Sequence, residues 1–220
     1  MRWTLAFAVL GCVCASGVRA EVVTIGAAAD NTLYEDASGS LSNGAGEYLF
    51  AGTTLEPFVR RGLVRFDVAG AVPAGATITS ATVGMTMSRG GSSPYAVGFH
   101  RALSDWGEGT SDALLEEGAG APAEAGDATW LHTMYPGVMW ATPGGDFWAA
   151  ASVSKLVAGE GAYVWPSTGQ MVADVQGMLA NPAGNFGWVI LGDEASIPTA
   201  KRFNSREHAD VSTRPWLMIE

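Results

Sequence analysis

The sequence predicts an all-β protein of two packed antiparallel sheets with one short helix, and three observations point to this fold class. Short strand-like runs recur along the chain, separated by clusters of Gly, Pro, Asn and Ser. Glycine supplies 29 of the 220 residues, whereas lysine, a good helix former, occurs only as Lys155 and Lys201. Apolar and polar residues alternate over residues 61–68 and 76–88, the pattern of strands with one face in a core.

The predicted elements follow in order from the N-terminus. Strands are expected over residues 21–25, 47–51, 61–68, 76–88, 95–103, 162–165, 186–191, 201–206 and 216–219. In the strand over 61–68, Val64 and Phe66 would face the core, with Arg61 and Arg65 on the opposite side. The one helix is expected over residues 171–179, with its apolar side chains on one face and Asn181-Pro182 after its end.

Residues 104–152 form a long acidic excursion from this regular pattern. No lysine or arginine lies between Arg101 and Lys155, but eight carboxylates and four tryptophans do. A connection of this length inside a compact domain tends to carry function. Its apolar content is too small for a separate core, so residues 21–220 are expected to form a single domain with short strand pieces in the excursion.

The N-terminus has the features of a secretory signal peptide over residues 1–20. A positive charge at Arg2 precedes an apolar stretch over residues 5–13, and small residues lead to a cleavage position after Ala20. The stretch is too short to span a bilayer, so the protein is expected to be secreted, extracellular and not membrane-spanning. A lipid anchor on Cys12 or a periplasmic location are the alternatives. The mature chain would contain no cysteine and no disulfide.

Charge and motifs exclude or disfavour several function classes. The net charge of −10 argues against a nucleic-acid partner, which needs clustered cations. The mature chain lacks a G-x-S-x-G elbow, an H-E-x-x-H motif and a cysteine nucleophile, and its three histidines are scattered. We therefore expect no enzyme activity. A polysaccharide lyase or hydrolase remains the alternative, because paired carboxylates are defined by their separation in space.

Several stretches resemble one known family in both order and spacing. They are Asp30-Asn31-Thr32-Leu33-Tyr34, residues 61–68, residues 73–81, residues 104–110, residues 128–130, residues 174–176, Asn185-Phe186-Gly187-Trp188, residues 203–207 and residues 214–219. In this arrangement the chain resembles the DNRLRE-domain family, a disaggregatase-related group also classed as carbohydrate-binding module family ninety-six. The resemblance implies a β-jelly-roll on a secreted or surface protein, with glycans as ligands, including acidic ones such as alginate.

Few cations occur in this chain, and two groups of them are candidates for binding such a glycan. Arg61 and Arg65 share one strand face, and Arg202 belongs to a second group with Lys201 and Arg206. Arginine suits bidentate recognition of a carboxylate or sulfate. The alternative is that each arginine pairs with an acidic neighbour such as Asp67, Asp193 or Glu207. Arg206-Glu207 in particular has the pattern of a structural lock.

Aromatic rings could complete such a binding site by stacking on sugar rings. Trp140 and Tyr135 are the expected stacking residues, and Trp106, Trp148 and Trp165 are further candidates for exposed rings, whereas Trp130, Trp188 and Trp216 are expected in the core. The predicted ligand-binding set is therefore Arg61, Arg65, Arg202, Trp140 and Tyr135.

Three functions remain open at this point, and no cofactor is expected. A glycan-binding module is favoured over a structural or adhesive surface protein and over a polysaccharide-active enzyme. A structural calcium ion is possible at the closely spaced Asp105, Glu108 and Asp112, although a solvated acidic surface is the expected alternative.

Overall fold

The structure, a computed structural model, describes residues 20–220. All but the last residue of the predicted signal peptide therefore lie outside the described residues. The strands are β1 (Val23–Gly26), β2 (Ala29–Tyr34), β3 (Leu41–Ser42), β4 (Tyr48–Thr53), β5 (Val59–Arg65), β6 (Ala81–Gly90), β7 (Tyr95–Arg101), β8 (Ala121–Pro122), β9 (His132–Met134), β10 (Val138–Met139), β11 (Val153–Val157), β12 (Gly161–Trp165), β13 (Trp188–Leu191), β14 (Lys201–Asn204) and β15 (Trp216–Ile219). The helices are α1 (Val68–Ala71) and α2 (Gly169–Ala180), with 3₁₀ turns at Pro182–Gly184 and Val211–Thr213.

The strands form an antiparallel sandwich, as the sequence predicts. In the first sheet, β6 pairs with β12 along one edge and with β15 and β14 along the other, and β1 and β4 extend the sheet beyond these two. The second sheet has the order β2-β5-β13-β7-β11. Where Gly52 and Thr53 of β4 pair with the start of β5, one sheet curls into the other. The sheet is therefore continuous around this corner, in the shape of a half-barrel.

The main core lies between the two sheets and uses the alternation seen in the sequence. Val64 of β5 and Phe66, which follows the end of this strand, are fully buried there, together with alternate residues of β6. Phe99 packs edge-on against Trp165 and Trp188, with ring centroids 5.1 and 6.4 Å apart. Burying such rings contributes much of the stability of a sandwich core.

Helix α2 closes this core from one side, as predicted from its apolar face. Met171, Val175, Met178 and Leu179 are buried in the core. The helix begins after Thr168, whose hydroxyl accepts a hydrogen bond from the backbone N–H of Met171 at 3.0 Å. This hydroxyl satisfies one of the free N–H groups of the first turn, which explains where the helix starts.

Several strand boundaries differ from the prediction, and strands β2, β3 and β11 were not predicted. β5 ends at Arg65, because Asp67 caps the short helix α1 by accepting the N–H of Gly70 at 3.0 Å. β6 begins at Ala81 and not at residue 76. β2 was not predicted, because its Asp30-Asn31-Thr32 run is polar, yet all six of its residues are buried.

The acidic excursion covers the outer face of the second sheet. Beneath it lies a second apolar cluster that contains Leu33, Leu63, Trp106, Trp140 and Val189. Leu63 shares this outer face of β5 with Arg61 and Arg65, so the excursion packs over the face that the arginines occupy.

Helices that could cross a membrane are absent from residues 20–220.

Candidate functional site

Arg61 is held by its own chain. Its guanidinium forms a bidentate ion pair with Glu194, with both N–O distances 2.8 Å, and donates to the carbonyl oxygen of Gly144 at 2.8 Å. It also lies over the rings of Trp130 and Phe147, 5.0 and 5.2 Å from their centroids. The side chain is 15% exposed. These contacts use most of the donors that a ligand would need.

Arg65 also pairs with a carboxylate and packs on an aromatic ring, but it lies nearer the surface. Its Nη1 lies 2.9 Å from Asp105 Oδ1, and its guanidinium lies over the ring of Trp106 at 5.1 Å. The outer face of β5 thus carries both arginines as expected, each paired with a carboxylate. The sequence had suggested Asp67 and Asp193 as partners, whereas the folded chain uses Asp105 and Glu194.

The predicted stacking aromatics do not form an exposed platform. Trp140 is 4% exposed and its indole N–H donates to the carbonyl oxygen of Thr129 at 2.9 Å, so the expectation that its ring is exposed is wrong. Tyr135 is half-buried against His132, with ring centroids 5.1 Å apart. Trp106 and Trp165 are fully buried, and only Trp148 among these candidates is well exposed, at 45%.

The second group of cations is separated by the fold. Lys201 is 1% exposed and its Nζ donates to the carbonyl oxygens of Gly91, Ser93 and Ala158. Arg202 points to the opposite side of β14, and Arg206 joins a carboxylate cluster beyond the end of the strand. Neighbours in a strand point to opposite faces, so closeness in sequence did not bring these charges together.

Arg202 instead lies in a groove with two arginines from other strands. Arg60 from the start of β5, Arg89 from the end of β6 and Arg202 line this arginine groove, together with Phe50 and Gly118. The groove has a volume of 220 Å³ and is open to solvent. It follows the corner where the first sheet curls into the second.

Arg60 forms the floor of the arginine groove. It is 7% exposed, lies 4.8 Å from the centroid of the Tyr34 ring, and donates to the carbonyl oxygens of Val59 and Gly118. Within residues 20–220 no carboxylate oxygen lies within 4.0 Å of its guanidinium nitrogens. Burial lowers the pKa of Arg60, and Glu35 acts on it only at longer range. A buried charge without an opposite charge beside it is costly.

Arg89 and Arg202 form the rim, where they share one carboxylate. Glu116 Oε2 lies 2.6 Å from Arg89 Nη1 and also accepts a hydrogen bond from Arg202 Nη1. Arg202 further lies over the ring of Tyr48, 3.7 Å from its centroid. The arginine groove therefore holds three guanidinium groups against the single carboxylate of Glu116, in a chain whose net charge is −10.

The opposite imbalance exists around Arg206. Here Asp30, Glu108 and Glu207 bring one oxygen each to within 4.8 Å of one another, and we call these four residues the acidic cluster. Arg206 Nη2 lies 2.8 Å from both Glu108 Oε2 and Glu207 Oε1, and its backbone N–H donates to Asp30 Oδ2 at 2.7 Å. The expected structural lock at Arg206-Glu207 therefore joins β2, the excursion and the segment after β14.

Burial raises the pKa values of two carboxyl groups in the acidic cluster. It raises the pKa of Glu207 to about 7, and the Oε2 of this residue is buried without a hydrogen-bond partner among the described residues. It also raises the pKa of Asp30, to which the charge of Glu207 contributes. One guanidinium cannot neutralise three carboxylates, so protonation relieves the remaining repulsion.

The fold does not gather the three residues named as possible calcium ligands. Asp105 pairs with Arg65, Glu108 pairs with Arg206, and Asp112 is exposed.

Two larger cavities are less suited to an anionic ligand than the arginine groove. One, of 470 Å³, lies beside the terminal strands and offers mainly aliphatic side chains with the carboxylates of Glu21 and Glu220. A cavity of 360 Å³ includes Arg206 and Arg214, but Arg206 belongs to the acidic cluster and Arg214 donates to the carbonyl oxygen of His208 at 2.7 Å.

No protein-family model matches this chain. No curated protein matches it in sequence either. Chemically, the arginine groove offers guanidinium N–H donors to an anion that approaches from solvent, and the described residues around it contain no nucleophile with an adjacent base.

Proposed function

We propose that this protein is a secreted, non-catalytic carbohydrate-binding module for an anionic polysaccharide, which binds in the arginine groove. The observation that supports this most directly is the unequal charge of the groove, three guanidinium groups against the carboxylate of Glu116. Arginine forms paired, charge-assisted hydrogen bonds with carboxylates and sulfates, the anionic groups of such polymers. The resemblance to the DNRLRE-domain family favours the same ligand class.

The shape of the arginine groove suits a polymer better than a small molecule. Pockets that enclose drug-sized ligands usually have volumes of about 300–1,000 Å³. The smaller, open groove of 220 Å³ would instead receive the charged groups that project from a passing chain. Because few aromatic rings are exposed there, recognition would depend on charge more than on stacking.

A binding titration tests the proposal. The purified protein is titrated by calorimetry with a galacturonate hexamer, an alginate oligomer and a neutral glucan hexamer, at low and high salt. We expect binding of the two uronates, weaker binding in high salt because the exposed charges are screened, and no heat with the neutral glucan.

Other outcomes would replace the proposal with one of its rivals. Equal affinity for the neutral glucan would contradict recognition by charge. No binding to any glycan, together with fractionation to the cell envelope, would favour a structural or adhesive protein. Release of new reducing or unsaturated ends from a polysaccharide would favour an enzyme.

A further inference from the structure

The loop that carries Glu116 is anchored on both sides of this residue. Before it, the backbone N–H of Ala113 donates to Asn43 Oδ1 at 2.8 Å. After it, the buried carboxylate of Glu117 accepts the backbone N–H groups of Glu47 and Tyr48 at 3.1 and 2.9 Å. Only three residues, 114–116, project between these anchors.

The backbone of this loop directs Glu116 to the arginine groove. Leu115 and Glu117 have positive φ angles of 61° and 62°, a left-handed conformation that is unfavourable for residues with a Cβ. Leu114 and Leu115 are 85% and 94% exposed, so burial of apolar side chains does not determine the loop conformation. The anchors, the ion pairs of Glu116 and the hydrogen bond from the backbone N–H of Glu117 to the carbonyl oxygen of Leu114, at 3.2 Å, hold this conformation.

The carboxylate of Glu116 occupies only some of the N–H donors of Arg89 and Arg202. The same oxygen, Oε2, contacts both Arg89 and Arg202, although each guanidinium has five N–H donors. Glu116 and Arg89 are 62% and 60% exposed at their side chains, so water and ligands can reach both. The contact with Arg89 is weak, because exposed ion pairs are screened and lose side-chain entropy, whereas the Arg202 side chain is 12% exposed.

We infer that Glu116 is a built-in competitor, and that the ligand of the arginine groove carries a carboxylate, as in a uronic acid, which displaces Glu116 from Arg89 and Arg202. This inference rests on the proposed function. The position of Glu116 demonstrates that a carboxylate fits between the two guanidinium groups. A uronate with both oxygens available would engage donors that Glu116 leaves unused.

Glu116→Gln tests the inference, because glutamine keeps the size of the side chain and removes its charge. We expect the variant to bind a galacturonate hexamer about two- to fivefold more tightly than the unchanged protein, the value of an exposed ion pair. Asp112→Asn is the matched control. It removes the same charge from an exposed site four residues away and should change the affinity less.

A second measurement follows Glu116 itself in the unchanged protein. The hydrogen bond from Arg89, together with the charges of both arginines, holds the pKa of Glu116 below its ordinary value. In a carboxyl-detected NMR titration, saturation with the hexamer should return this pKa towards the ordinary range, because the ligand takes over the two guanidinium groups.

The outcomes separate this inference from the proposed function. Tighter binding by Glu116→Gln than by Asp112→Asn supports the inference. If the unchanged protein binds the hexamer but Glu116→Gln binds equally or more weakly, Glu116 is no competitor and the proposed function stands. If neither protein binds, both are overturned.

Discussion

The outer face of β5 and the arginine groove both display arginines on an acidic protein, but they balance charge differently. Arg61 and Arg65 each have one carboxylate partner and lie against aromatic rings of the excursion. In the arginine groove, Arg89 and Arg202 share Glu116. An arginine is therefore a candidate for ligand binding only if the carboxylates of its own chain do not already neutralise it.

The acidic cluster is the reverse of the arginine groove. It has three carboxylates for one guanidinium, and it is largely enclosed, with Asp30 1% exposed. An enclosed excess of negative charge can be relieved by a proton, whereas an open excess of positive charge can be relieved by an anionic ligand. The same chemistry thus leads to pH dependence in one place and to binding in the other.

The largest effect on the free energy of unfolding is expected from breaking the ion pair between Arg61 and Glu194. Arg61→Met should lower the free energy of unfolding by about 2–4 kcal/mol, because it leaves the carboxylate of Glu194 and the carbonyl oxygen of Gly144 without their donor. Urea denaturation measures this change. In the more exposed pair with Asp105, Arg65→Met should cost about 1 kcal/mol or less. Similar losses in the two variants would show that the excursion does not seal Arg61 more firmly than Arg65.

A smaller effect on the free energy of unfolding, confined to one pH range, is expected from the substitution of Glu207. The folded state raises its pKa from 4.5 to about 7, so folding favours the protonated carboxyl. Its contribution to stability is therefore complete below about pH 4.5 and is lost as the pH rises through 7. Relative to Glu207→Gln, the unchanged protein should lose about 2–3 kcal/mol of stability between pH 5 and pH 8.

Denaturation curves at several pH values measure this difference between the two proteins. Glu160→Gln, which changes an exposed carboxyl between β11 and β12, is the control and should leave the pH dependence of the unchanged protein intact. Parallel stability profiles for Glu207→Gln and the unchanged protein would mean that Arg206 already neutralises Glu207.

The smallest change in stability, with a clear change in binding, is expected at the rim of the arginine groove. Arg89→Gln should alter the free energy of unfolding by less than about 0.5 kcal/mol, because the side chain is 60% exposed. It should weaken binding of the galacturonate hexamer about three- to tenfold, the value of one charge-assisted contact. Arg65→Gln makes the same substitution on the outer face of β5 and should leave the affinity unchanged. Equal losses in the two variants would place the ligand across both regions.

The candidate site was only partly predictable from the sequence. Arg202 was singled out because cations are rare in this chain, but Arg60 and Arg89 were not grouped with it. They come from β5 and β6 and meet Arg202 only because β14 lies between β4 and β6 at the corner of the sandwich. Arg61 does not join Arg202 in the groove, because it points to the opposite face of β5 from Arg60 and pairs with Glu194.

The sequence was sufficient to show which faces of the strands and of helix α2 pack in the core. Alternation identified the core-facing residues of β5 and β6, and the spacing of Met171, Val175 and Met178 identified helix α2, because the periods of strand and helix are local properties of the backbone. The tertiary structure alone decided that the polar strand β2 is buried, that the excursion covers the second sheet, and which arginines are already paired. A polar or charged side chain can be buried or bind a ligand only through its partners, and here those partners come from distant parts of the chain.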